Sequence, residues 1–250
     1  MSIDNLRTQM KKLRLAGASA ALELRLQEAR GNSLDHAQFL EILMQDELLN
    51  RSNNKMKAAL RLAGFRGLKP LSDFDWQFNP NLDRKAFYEL AGGEFVRKGT
   101  NVLFVGPSGT GKTCLAQAIG YEALKLGFSV IYRSIFDVVG GLQRFNAFSD
   151  RNAEFDRYLK AELLIIDDMG LKQLPEKSGE LLFEIIFRRH GLKSTLMTSN
   201  RPLDEWGKLI RDVPTAGAIL DRFLEQSMVI RFKGRSYRLA GNPMPDTTGQ

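Results

Sequence analysis

Gly106-Pro107-Ser108-Gly109-Thr110-Gly111-Lys112-Thr113 fits G-x-x-x-x-G-K-[ST] at every position. The apolar run 101–105 leads into it, and the helix-prone Thr113-Cys114-Leu115-Ala116-Gln117-Ala118 follows. Strand, glycine loop and helix in that order form a cradle for a nucleoside triphosphate. The glycines let the backbone bend until consecutive N–H groups point inward at phosphate oxygens. The start of the following helix adds the positive end of its dipole. The stretch from Gly106 to Cys114 is therefore expected to bind ATP. Lys112 should reach the β- and γ-phosphates, and the Thr113 hydroxyl should ligate Mg²⁺. A glycine-rich turn that binds nothing is the plain alternative, and the matching flanks weigh against it.

The 250 residues can hold one sizeable α/β domain and a smaller appendage. No run of about 18 apolar residues occurs, so no membrane span or membrane partner is expected. Residues 1–7 lack a secretory apolar core. The single cysteine, Cys114, excludes an internal disulfide, and two histidines, His36 and His190, leave little for a zinc site. These features point to a cytoplasmic protein that uses Mg²⁺ rather than zinc. The net charge of +7 suggests a polyanionic partner. Residues 1–70 carry twelve Lys/Arg against seven Asp/Glu, and the other 180 carry twenty-four against twenty-two. Most of the excess thus sits outside the nucleotide region.

Residues 1–66 read as helical: rich in Leu, Ala, Met, Glu, Lys and Arg, without proline. Leu6, Met10 and Leu13 recur at helical spacing, a second helix spans about 19–30, and Gly31-Asn32-Ser33 offers Ser33 as the N-cap of a third. Leu40, Leu43, Met44 and Leu48 should share one side of that long helix. Arg51, Lys55, Lys57 and Arg61 crowd its second half. They form either a solvated face or a DNA-phosphate-contacting face, and the charge distribution favours the second. Residues 64–70 read as a linker. Phe74, Trp76 and Phe78 then alternate with polar residues; packing on the next domain is favoured over lining an adenine pocket. A helix is expected over 82–97.

From residue 101 the pattern alternates, with strands at 102–105, 129–132, 163–167, 194–198 and 228–232. Helices fill 112–126, 134–148, 176–190 and 203–224. Val-Leu-Phe-Val and Leu-Leu-Ile-Ile are continuous apolar runs, as parallel strands covered on both faces require. The expected fold is a three-layer α/β domain with a five-stranded parallel sheet over 67–240. A small all-α domain precedes it, and a polar tail covers 241–250. Arg144-Phe145-Asn146-Ala147-Phe148 mixes basic and aromatic residues and could touch DNA, although helix amphipathicity accounts for it equally.

Leu163-Leu164-Ile165-Ile166-Asp167-Asp168 ends an apolar strand in two acids, placing them at the sheet edge where the glycine loop sits. Asp167 is the expected Mg²⁺-side carboxylate, and Asp168 is placed to orient or deprotonate the attacking water. A pair of aspartates capping the next turn is the plainer alternative. Asn200, after the next strand, could hydrogen-bond that water or the γ-phosphate. Arg222 and Arg238 could each face a phosphate or form a surface salt bridge.

The glycine loop, Leu-Ile-Ile-Asp-Asp-Met-Gly at 164–170, Thr-Ser-Asn-Arg-Pro at 198–202, Leu-Asp-Arg-Phe at 220–223 and Gly-Arg-Ser-Tyr-Arg at 234–238 together resemble the AAA+ ATPases of the helicase-loader and IstB group. The aromatic stretch from Asp73 to Lys85 and the segment from Ser199 to Gly207 look specifically like IstB, the ATP-binding helper encoded by bacterial insertion sequences. The resemblance spans about 35–240. It implies that ATP binds between subunits of a ring or helical filament. Asn200 would be a first sensor, Arg222 an arginine finger reaching a neighbour's site, and Arg238 a second sensor within its own subunit. It implies assembly on double-stranded DNA, recruitment of a cognate transposase, and ATP turnover controlling disassembly. Many AAA+ proteins place Glu after the Mg²⁺ aspartate; the shorter Asp168 predicts slow hydrolysis. A replicative helicase loader and an ATP-clamped DNA-architectural protein with negligible turnover are the alternatives. A small-molecule kinase is disfavoured, since no lid segment or acceptor-site motif stands out.

Overall fold

The computed structural model describes residues 3–144 and 148–238; the segment 145–147 and the stretch 241–250 lie outside the described residues. So the core of the basic–aromatic segment and the expected tail have no structural account. Contacts divide the chain into two compact units, Met1–Ala59 and Leu60–Gln250.

The first unit holds α1 (Ile3–Lys12), α2 (Ala16–Gly31) and most of α3 (His36–Ala63). Met10, Ala18, Leu22 and Leu43 form its core, with Leu6 and Phe39 packed against it. The seam of α3 runs through Phe39, Leu43 and Glu47 at spacing four, so Leu40 and Leu48 face solvent rather than the core as expected. Ser33 does not cap α3. Asp35 does: its Oδ1 accepts from the Gln38 N–H at 2.8 Å, and Gln38 Oε1 accepts from the Asp35 N–H at 3.0 Å. The reciprocal pair satisfies two donors that a lone serine could not. Gly17 lets α2 approach α3; a Cβ there would lie 2.5 Å from Asn50 Cβ.

The second unit begins with residues 60–66, placed by sequence with the helices. Phe65 sits 5.9 Å from the ring of Tyr132, which explains why this stretch groups with the second unit. Next come α4 (Arg84–Ala91) and α5 (Glu94–Arg97), two helices where one was expected. Gly92-Gly93 separates them, with Gly93 in the left-handed region (φ 74°). The order is then β1 (Asn101–Val105), α6 (Lys112–Lys125), β2 (Val130–Ser134), α7 (Ile135–Arg144), α8 (Phe148–Lys160), β3 (Leu163–Met169), α9 (Ser178–Arg189), β4 (Ser194–Ser199), α10 (Trp206–Ile210), α11 (Val213–Leu224) and β5 (Ser227–Arg231). Helix α8 was not foreseen. The single helix expected over 203–224 is broken where Arg211 adopts φ 62° and Asp212 caps α11, accepting from the Thr215 N–H at 3.0 Å.

The five strands are parallel, in the order β2-β3-β4-β1-β5. Leu103, Val105, Leu164, Ile166 and Met197 bury one sheet face beneath α7, α9 and α11. The alternate residues face the other way. There Phe104 meets Phe87 and Phe232 at ring separations of 5.5 and 5.3 Å. Near its end β3 takes in one extra residue. Ile166 pairs with Met197, but the next pairing is Met169 with Ser199. This bulge contains Asp167 and Asp168 and turns their side chains apart. Arg189 is fully buried and donates to the carbonyls of Tyr158 and Ala161, at 2.6 and 2.7 Å, and of Ser194. It ties the end of α8 to the start of β4.

A candidate nucleotide site at the carboxyl edge of the sheet

The loop between β1 and α6 stands at the carboxyl ends of the parallel strands, where open α/β sheets hold ligands. Gly109 and Gly111 adopt φ 78° and 99°. A side chain at Gly109 would collide with Ser236, and one at Gly111 would lie 2.9 Å from the Phe74 ring. The Tyr237 N–H donates to the Gly109 carbonyl at 2.9 Å, so the segment after β5 closes one side of the loop.

Around this loop lies a cavity of about 510 Å³. Its wall includes Ser108 to Cys114, Asp168, Asn200 and Arg238, which the sequence analysis singled out from separate parts of the chain. Phe74, Phe78 and Tyr237 also line it, while Trp76 packs against Phe87 at 5.5 Å. The aromatic stretch therefore divides its work: Trp76 packs, and Phe74 and Phe78 face the cavity. Arg222 does not line the cavity. It is half-exposed near the end of α11, 3.6 Å from Glu225, and its carbonyl accepts from His190 Nδ1 at 3.0 Å.

Lys112 is 8% exposed. Its Nζ donates to the carbonyls of Gly106 and Pro107, both at 2.7 Å. Burial pulls its pKa down to about 8; Asp167 opposes that shift and Arg238 adds to it. An ammonium held only by neutral carbonyls is ready to exchange them for an anion.

Asp167 is fully buried beneath the loop, and three hydroxyls from three elements donate to it. Thr113 Oγ1 reaches Oδ1 at 3.0 Å, Thr198 Oγ1 reaches the same oxygen, and the Tyr132 hydroxyl reaches Oδ2 at 2.5 Å. Burial, and then the charge of Asp167, raise the Tyr132 pKa, so the phenol stays a donor. Sequence reading missed Tyr132 and Thr198 in this role. Thr198 stood inside a quoted motif, but nothing local marks Tyr132. Asp168, at φ 66°, turns its side chain into the cavity wall, and Arg66 NH1 lies 3.7 Å from its Oδ2. Burial and Asp167 raise its pKa, while Arg66 and Arg238 lower it.

The donor set fits a triphosphate with Mg²⁺. It offers a hydroxyl and a carboxylate side by side, a buried ammonium and a glycine-lined cradle. It also holds a buried oxygen, Asn200 Oδ1, with no hydrogen-bond partner among the described residues. Asn200 Nδ2 reaches Ser108 Oγ at 3.4 Å, which brings this side chain against the loop.

In the helical unit Arg51 pairs with Glu47 at 2.7 Å. Lys55, Lys57 and Arg61 on α3 are exposed.

Residues 8–243 match the family described as IstB-like ATP binding protein. The chain belongs to this family. It is 32% identical to the insertion sequence IS21 putative ATP-binding protein of Pseudomonas aeruginosa, across 95% of this chain and 89% of that one. It is 33% identical to a putative insertion sequence ATP-binding protein of Sinorhizobium fredii, across 95% of each. The fold is also that of the DnaC helicase loader crystal structure, with a TM-score of 0.53 and 22% identity over 68% of this chain and 97% of that one. Membership in this family of ATP-binding proteins spans nearly the whole chain. No helix among the described residues is long and apolar enough to cross a membrane.

Proposed function

We propose that this chain is a cytoplasmic, Mg²⁺-dependent ATPase that assembles on double-stranded DNA and assists a transposase. The Thr113–Asp167 contact beneath the glycine loop carries the nucleotide part of this reading. The insertion-sequence relatives and the +7 net charge support the DNA part.

Lys112 exchanges the Gly106 and Pro107 carbonyls for phosphate oxygens when ATP enters. Thr113 and Asp167 would hold Mg²⁺. When bound, that ion neutralises charge on the triphosphate. Asp168 orients the attacking water and takes its proton, with Asn200 holding the same water or the terminal phosphate. Its carboxylate is one methylene shorter than glutamate's, so turnover is slow. Arg238 reads the phosphates within its own subunit. Arg222, outside its own cavity, acts on a neighbour's nucleotide, which makes hydrolysis depend on a ring or filament of copies.

The test is steady-state ATP turnover with and without double-stranded DNA and a cognate insertion-sequence transposase. DNA- or transposase-stimulated hydrolysis lost in Asp168→Asn, with ATP binding kept, is the expected result. A vigorous rate insensitive to Asp168→Asn removes Asp168 from the mechanism. Preference for single strands and a replicative helicase would turn the reading toward a helicase loader. Full function in Asp168→Asn with assembly lost in Lys112→Ala would turn it toward an architectural clamp.

A further inference from the structure

Asp168 sits in a conformation that leaves its side chain poorly supported. Its backbone is left-handed, it occupies a bulge, and its N–H donates to Thr198 Oγ1 at 3.2 Å. Among the described residues no hydrogen bond reaches its carboxylate. A short acid held only by its own backbone would sample several rotamers, and a group that aims a water molecule needs one. The cation beside it comes from a segment that the function so far leaves unused.

We propose that Arg66 is a positioning residue for hydrolysis, and that its guanidinium, anchored on Asp137, fixes the direction of the Asp168 carboxylate. The proposal rests on the reading of Asp168 as the group that orients the attacking water.

Three contacts support it. The Arg66 and Gly67 N–H groups donate to Gln117 Oε1 at 2.9 and 3.2 Å. Gln117 lies one turn after Thr113 on α6, so the backbone at 66 is tied to the helix that carries the loop. Arg66 NH2 then donates to Asp137 Oδ2 at 2.7 Å, on the first turn of α7. Asp137 is held in turn, its N–H donating to Ser134 Oγ at 3.2 Å. With one arm of the fork fixed, NH1 stands 3.7 Å from Asp168 Oδ2. That distance is too long for a hydrogen bond and short enough for attraction. The carboxylate is therefore drawn toward the cation without having its lone pairs occupied, and Oδ1 stays available to water. A planar guanidinium can span two carboxylates on separate elements. A lysine ammonium is a point charge on a flexible stem and cannot hold the same geometry.

The experiment measures ATP turnover and fluorescent-nucleotide affinity with Mg²⁺ and double-stranded DNA. It compares the full-length chain with Arg66→Gln, Arg66→Lys, Asp168→Asn and the double variant Arg66→Gln/Asp168→Asn. Arg66→Gln should lower kcat about tenfold while KM and nucleotide affinity stay within about twofold. Arg66→Lys should recover part of that loss. In the Asp168→Asn background Arg66→Gln should change nothing further, because the two residues act as one unit. Wild-type kcat in Arg66→Gln overturns the proposal, as does a rise in KM with kcat intact, or additive losses in the double variant. If Arg66→Gln does not fold, Arg66→Lys carries the same test: kcat must fall with KM preserved. Wild-type turnover in Asp168→Asn overturns the reading of Asp168 itself, and this proposal with it. Asp168 dependence alongside an indifferent Arg66→Gln overturns the proposal alone.

Discussion

Glu47 in the helical unit and Asp167 in the nucleotide unit are both buried carboxylates, yet their partners differ in kind. Glu47 Oε2 accepts from the N–H groups of Gly17 and Ala18 at the start of α2, at 2.6 and 3.1 Å, and Arg51 meets its other oxygen at 2.7 Å. The protein supplies a full positive charge and a helix dipole, so this acid needs nothing from outside. Among the described residues Asp167 receives hydrogen bonds from hydroxyls alone, those of Thr113, Thr198 and Tyr132. Hydroxyls satisfy its lone pairs, while Lys112, a cation that feels its charge, donates its hydrogen bonds to the Gly106 and Pro107 carbonyls. A buried carboxylate to which no cation is hydrogen-bonded among the described residues leaves room for an external one. One acid locks two helices, and the other, in the proposed function, would hold Mg²⁺.

The largest expected effect tests whether the nucleotide site is complete within one copy. The cavity of a single chain contains Lys112 and Arg238 but not Arg222. Arg222→Ala should keep ATP binding and lose oligomer-dependent turnover by about 10³-fold. Mixing it with Lys112→Ala should restore activity, since each variant supplies what the other lacks; no rescue in turnover assays means the arginine does not act across subunits. Next in size, Asp167→Asn should lower magnesium-dependent turnover by about 100-fold. Its nucleotide-free melting temperature should stay level or rise, because a buried charge with no cation hydrogen-bonded to it is gone. A fall of several degrees would make Asp167 a structural acid like Glu47. Lys112→Ala should weaken ATP binding by about 10- to 100-fold, the value of a charge-assisted contact to phosphate, read by titration of a fluorescent nucleotide.

These residues divide by how far the signal reaches along the chain. The loop and the two acids were legible because each is a short motif at the end of an apolar strand. Strands β1 and β3 were legible because both of their faces are covered, which writes continuous apolar runs. Helix α8 was not, because FSDRNAEFDRYLK is mostly polar and, among its described side chains, buries Phe155 and Tyr158 alone. The break at Arg211–Asp212 hid inside a helical pattern, since its cap is a local side-chain bond. Tyr132 and Arg66 were illegible for a different reason. Their partners, Asp167 and Asp168, lie 35 and 102 residues away, and only the sheet order brings them together.

The smallest effect belongs to the helical unit. Glu47→Gln should lower its melting temperature by a few degrees and leave ATP affinity unchanged. The Arg51 hydrogen bond, aided by the backbone donors at Gly17 and Ala18, holds Glu47 below the usual value of 4.5. A depressed acid contributes stability that is present above that value and lost as pH falls through its lower folded-state value. Melting curves from pH 7 to pH 3 should therefore converge for wild type and Glu47→Gln at the acid end. Curves that stay parallel would remove Glu47 from the acid response.

In the proposed function a triphosphate–magnesium complex, gripped between the glycine loop and Asp167, would govern how copies of this chain join along a DNA duplex. Sedimentation velocity of the full-length protein with a duplex fragment, with and without ATP and Mg²⁺, tests it most directly. Large duplex-bound assemblies should form with nucleotide and be absent without it, and Lys112→Ala should not form them in either condition. The same sedimentation profile in both conditions for the wild-type protein would mean that nucleotide does not govern assembly.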